Sequence, residues 1–226
     1  MSYMVCQMRF KLVTDYLDNY DKFFEKTSKV EFERTKLSKF SREELFNYLK
    51  DLGNATPHYG VVERLVPFLF DLYQTENLLI VVYTDVFLHD RKQLLLVNAK
   101  SAFNIFKQSF AVEYLKGDEE YATSYTYLKI GNYDFGVKTT SSVQQCWQSN
   151  VFSKSTIMCR GEENTYNPKI QYPLYTIDYI QHNKKMFAVD FNVAPTLEET
   201  DIHLFMNDLE IFEAVAKAAE NFYYTA

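Results

Sequence analysis

Asp178, Asp190 and Asn192 are the residues of this sequence best placed to do chemistry. They are the polar side chains of an otherwise apolar stretch from Tyr175 to Leu197, whose two halves alternate as strands do and meet at a polar turn around His182, Asn183 and Lys184. An antiparallel hairpin turning near residue 184 sets Asp178 across from Asp190, and Asn192, two residues further on, shares a face with Asp190. Two carboxylates opposed on one sheet face repel each other unless a cation, a shared proton or a basic side chain compensates. Magnesium suits such a set, because it takes one or two carboxylates, an amide oxygen, waters and the phosphates of a nucleotide in an octahedral, oxygen-only shell. The residues alone leave a second arrangement open, in which both aspartates face solvent and pair with Lys184, Lys185 or Arg160.

Such a hairpin needs a scaffold, and the rest of the chain reads as one. The stretch from Ser41 to Lys50 is expected to be a helix with Ser41 as N-cap, Glu44 completing a capping box and Gly53 stopping it. Pro57 and Gly60 mark residues 54–60 as a loop, and a second helix follows through Val66 and Leu72. Residues 78–83 are continuously apolar, as in a strand buried on both faces, with residues 92–97 as its neighbour. A short helix capped by Asn98 covers 98–109, a strand covers 110–115, and 116–120 form a polar turn. Alternating aromatic strands at 125–130 and 133–138 make a hairpin about Gly131 and Asn132. After a segment at 146–151 and a polar loop from 160 to 169 come strands at 174–181 and 185–192, then a helix from about 206 to 221.

Composition narrows the function classes. With 226 residues, 47% of them hydrophobic, the chain can bury one substantial core. Its 30 acidic against 24 basic residues, a net charge of −6, speak against a sequence-independent grip on nucleic-acid phosphates. Cys6, Cys146 and Cys159 form no C-x-x-C pair and the histidines no metal-spaced cluster, so neither a disulfide framework nor a zinc site is expected. The N-terminus has no signal pattern and no apolar run approaches the roughly 18 residues of a membrane span. A cytoplasmic protein is the expectation. Trp147 reads as a core anchor, His58, His89 and His182 as surface residues, and the cysteines as inert thiols.

The run Phe187-Ala-Val-Asp-Phe-Asn-Val-Ala-Pro-Thr-Leu197, preceded by Asp178, resembles the ATP-grasp superfamily signature, in which an Asp, an acidic residue and an Asn hold Mg-ATP in an L-E-x-N-x-x-P-G context. Asp178, Asp190, Asn192 and Pro195 fall on those positions. The resemblance continues collinearly upstream. Residues 80–83 are similar to the strand that ends in a nucleotide-binding Lys, 84–91 to the glycine-rich flap, 111–115 to the adenine hinge, 124–131 to an R-V-x-x-I-G strand, and 147–150 to a W-R-S-N segment. It implies an α+β, two-lobed ATP-grasp domain over 76–226 behind an N-terminal helical portion over 1–75. It also implies ATP and magnesium as cofactors, with Asp178, Asp190 and Asn192 on the metal, Glu113, Tyr114 and Leu115 at the adenine, and Tyr83 and Asn150 toward the phosphates. The implied reaction is formation of an amide-type bond from a small carboxylate or peptide substrate through an acylphosphate.

Four phosphate-handling features depart from the pattern. Tyr83 stands for the strand-end Lys, no glycine occurs between 61 and 116, and Thr126 and Gln148 stand for the two arginines. Arg91, Lys92, Lys129, Lys138 and Lys154 are candidate replacements. The departures keep a rival in view, a nucleotide-binding or protein-interaction module without phosphoryl transfer. A two-metal phosphodiesterase ranks behind both, since no further acidic or His group sits at a strand end.

Overall fold

Ser41 begins the described chain as a helix cap. Its hydroxyl accepts the Glu44 N–H while the Glu44 carboxylate accepts the Ser41 N–H at 2.7 Å, the expected capping box at the head of α1 (Arg42–Asp51). The computed structural model describes residues 41–84, 94–130, 133–144, 146–162, 174–193, 206–207, 209–211 and 213–214. Arg91, Lys92, His89, Pro195 and Cys6 lie outside them, as does most of the expected C-terminal helix, of which 209–211 and 213–214 are helical.

Two antiparallel sheets follow. The first has the order β1-β4-β2-β3, from β1 (Tyr59–Val61), β2 (Leu79–Tyr83), β3 (Leu94–Asn98) and β4 (Phe110–Glu113). The second has the order β7-β6-β5-β8-β9, from β5 (Thr123–Ile130), β6 (Tyr133–Ser141), β7 (Ser153–Glu162), β8 (Leu174–His182) and β9 (Lys185–Val193). Strand alternation divides the first sheet cleanly. Ile80, Val82 and Ala111 pack under α2 (Val62–Tyr73) and α3 (Ala99–Ile105), against Val62, Leu65, Val66, Leu69, Ala99 and Ala102. Tyr83, Phe110 and Val112 point the other way, into a core shared with Leu45, Phe46 and Leu49 of α1 and with Tyr175, Ile177, Ala188 and Phe191 of the second sheet. This one cluster ties α1 to both sheets.

The structure differs from expectation at two strands. β1 lies in the segment marked as a loop by Pro57 and Gly60; it pairs with β4, and Gly60 takes a φ of 151° that L side chains rarely adopt. β7 overlaps the start of the expected polar loop from 160. It is an edge strand that opens Ser-Lys-Ser-Thr, without the apolar alternation by which strands are read.

Candidate active site

The hairpin of β8 and β9 turns on Asn183 and Lys184, with φ of 50° and 63°, the left-handed pair of a tight two-residue turn. From there the ladder runs His182 to Lys185 through Tyr179 to Ala188, and an uninterrupted register would set Ile177 against Asp190. A bulge intervenes between Asp178 and Tyr179, leaving Val189 as the extra residue, so that Asp178 pairs with Asp190 and Thr176 with Asn192. The bulge thus turns Asp190 away from the core face while allowing Ala188 and Phe191, three residues apart, both to enter the core. The expected opposition of the two aspartates is present, and alternation sets Asn192 on their face.

Asp190 pairs with neither Lys184 nor Lys185 among the described residues, and the Arg160 side chain lies outside them. Thr126, across from Asp178 on β5, donates its hydroxyl to Asp178 Oδ1 at 2.6 Å. Asp190 meets a residue that the sequence did not suggest: Arg42 Nη1 donates to its Oδ1 at 2.9 Å, and the same oxygen accepts the Phe191 N–H at 3.0 Å. Arg42 heads α1, which packs along the edge strand β9. Its guanidinium lies 5.1 Å from the ring centroid of Tyr83, in the range of a cation–π contact. Its side chain is 7% exposed and that of Asp190 28%. One buried cation therefore stands at the end of β2, where Tyr83 replaces the expected lysine. The Arg42 Nε–H is buried without a hydrogen-bond partner among the described residues.

The other expected residues sit around this centre. Glu113 ends β4, and its carboxylate accepts the Tyr73 hydroxyl and the His58 N–H; its own N–H donates to the His58 carbonyl, and the Tyr114 N–H to that of Leu79. Leu115 is buried. The loop holding Asn150 is fastened to β5 by a Ser149 to Ser124 hydroxyl bond of 2.8 Å. Trp147 is half-buried rather than a core anchor. Two candidate replacement cations are committed elsewhere: Lys129 to Asp134 at 2.6 Å in a buried pair that also takes the Tyr127 hydroxyl, and Lys138 to Glu119 at 2.7 Å.

Among the described residues no three His, Cys, Asp or Glu side chains gather as for a metal ion. The candidate set is two carboxylates and an amide. Its chemistry nonetheless fits magnesium, being all hard oxygen and offered from one face of adjacent strands.

Burial pushes the Tyr83 hydroxyl up to about 12, with Arg42 pulling it down and Asp190 raising it further. Tyr179, which donates to Asn54 Oδ1 at 2.9 Å, is likewise pushed up to about 12 by burial and then by Tyr127 and Asp178. Below pH about 10 both folded and unfolded chains keep these protons. Above it the unfolded chain loses protons that the folded chain retains, so stability falls as pH rises through roughly 10 to 12. The expected result is a melting temperature that declines through this window, with tyrosinate absorbance appearing together with unfolding; tyrosines that all ionise near pH 10 in the folded protein would contradict it.

No protein-family model matches the sequence, and no curated protein does. Solved structures do. A RiPP-associated ATP-grasp ligase from Chryseobacterium gregarium, in complex with ADP and a leader and core peptide, superposes with a TM-score of 0.55 at 10% identity, covering 83% of this chain and 61% of the ligase. D-alanine–D-alanine ligase from Bacillus anthracis gives 0.51 at 9% identity, covering 82% and 69%. Phosphoribosylamine–glycine ligase from Thermotoga maritima gives 0.51 at 13% identity, covering 80% and 54%. The chain thus spans 54% to 69% of these enzymes' lengths. No helix among the described residues is long and apolar enough to cross a membrane. Two antiparallel sheets joined through one core, a bulged hairpin that opposes two aspartates, and these superpositions together identify an α+β chain with the ATP-grasp fold.

Proposed function

We propose that this chain binds an adenine nucleotide with magnesium and uses it to activate a carboxylate. The observation that carries the reading is the buried Arg42 guanidinium beside Asp190 and over Tyr83. It supplies a cation where the missing strand-end lysine had left none, and phosphoryl transfer depends on positioned positive charge. Asp178, Asp190 and Asn192 would hold magnesium, which when bound supplies charge to phosphate oxygens. Glu113, Tyr114 and Leu115 would frame the adenine, with Asn150 toward the phosphates. In the proposed reaction a substrate carboxylate oxygen attacks the γ-phosphorus and ADP leaves. An amine nitrogen then attacks the acylphosphate carbonyl, phosphate departs with the bridging oxygen, and the amine proton is lost to solvent. A peptide or small-molecule carboxylate is the substrate class to try, and a reducing cytoplasm is the setting that fits.

Binding without turnover is a second reading, favoured by the commitment of Lys129 and Lys138 to their own carboxylates. Calorimetry with Mg-ATP on wild type and Asp190→Ala tests the shared part: micromolar binding that the variant loses supports it, and absence of binding to wild type removes it. Phosphate release with amino acids and peptides as acceptors then separates ligase from binder.

A further inference from the structure

Asp190 is compensated by a tethered cation that is itself poorly satisfied among the described residues. Arg42 Nη1 and the Phe191 N–H both occupy Asp190 Oδ1, at 2.9 and 3.0 Å. A magnesium ion bonds carboxylate oxygens at about 2.0 to 2.1 Å, so on Asp190 Oδ1 it would lie against the guanidinium, and on either oxygen it would share a half-buried carboxylate with a like charge. Arg42 is itself held by one carboxylate and one ring face, with Nε–H buried and unpartnered among the described residues. A buried charged donor left unmet is costly, so this guanidinium gains when an acceptor arrives.

We infer that Arg42 is a displaceable occupant of the magnesium site, holding Asp190 until phosphate oxygens draw the guanidinium off the carboxylate. Free magnesium then competes with a tethered cation and binds poorly. A nucleotide polyphosphate compensates both positive groups at once, so metal and nucleotide bind with positive coupling. The coupling rests on the nucleotide reading proposed above, whereas the competition between Arg42 and magnesium does not.

The test is calorimetry of magnesium chloride alone on wild type, Arg42→Gln and Arg42→Lys, followed by ATP with and without magnesium. Glutamine can still donate to Asp190 but carries no charge; lysine keeps the charge. Arg42→Gln is expected to bind magnesium alone roughly tenfold or more tightly than wild type, the usual scale of such coupling, and Arg42→Lys to remain close to wild type. Adding Asp190→Asn to Arg42→Gln should abolish the gain. Equal magnesium affinity in wild type and Arg42→Gln overturns the inference. Should Arg42→Gln be unfolded in metal-free buffer, refolding in millimolar magnesium but not in potassium of equal ionic strength supports it, and no refolding overturns it. A magnesium gain with no ATP binding to any form sinks the nucleotide reading and leaves the competition standing. Mg-ATP binding to wild type with no effect of Arg42 on free magnesium does the reverse.

Discussion

Asp190→Ala is expected to lower the free energy of unfolding by about 3 kcal/mol, the lower end of the range for breaking a buried ion pair by removing one partner. Much of that loss comes from what remains. The Arg42 side chain is 7% exposed and among the described residues already has one unmet N–H, so deleting the carboxylate strands a buried guanidinium that keeps, of the described contacts, the Tyr83 ring. The lower end applies because Asp190 is 28% exposed, which admits some solvent to the vacated space. Asp190→Asn keeps an acceptor for Arg42 and should cost less. Urea unfolding of the three proteins measures the difference. A loss below about 1 kcal/mol for the alanine variant would place the pair among surface salt bridges and undo this account of the site's electrostatics.

Phe46→Ala should cost about 3 to 5 kcal/mol, the usual range for truncating a buried phenylalanine. Phe46 is fully buried, stacked on Tyr59 at 5.0 Å between centroids and tilted against Phe110 at 6.0 Å, so it joins α1 to β1 and β4 at one point. The cavity would open beneath the helix that carries Arg42. Loosening α1 should therefore weaken the Arg42–Asp190 pair as well, and the double variant Phe46→Ala/Asp190→Ala should lose less than the sum of the single losses. Strict additivity in urea unfolding would show that α1 holds Arg42 in place independently of its core contacts.

What could be read from the chain, and what could not, follows the physics of each signal. The capping box, the apolar run of β2, the Asn98 cap and the β8–β9 hairpin announce themselves locally, through periodicity or turn chemistry, and all stand in the fold. The pairing of Asp178 with Asp190 was legible from an assumed turn near residue 184, but the bulge at Val189 that produces it leaves no mark in composition. Arg42 was illegible as a site residue because its partner lies 148 positions away. One signal was present. A basic residue at the first position of a helix opposes the helix dipole, and here Glu43 and Glu44 obey the preference that Arg42 violates. Such a residue is held by something outside its helix. β7 escaped notice as a polar edge strand, and β1 because three residues around a glycine carry too little pattern.

Asn183, Lys184 and Lys185 stand exposed at the β8–β9 turn, which by exposure alone invites a peptide tag or a loop exchange. The turn is not idle, however. Asp118 accepts the Asn183 and Lys184 N–H groups at 2.7 Å each, its own N–H reaches the Gln181 carbonyl, and His182 Nδ1 meets the Lys116 carbonyl. The segment that leads from the first sheet into the second is thereby buckled to the tip of the hairpin. An insertion at the tip would unfasten that buckle and release the register on which the bulge, and hence the facing of Asp190, depends, so anyone grafting a label onto this protein should look elsewhere on its surface.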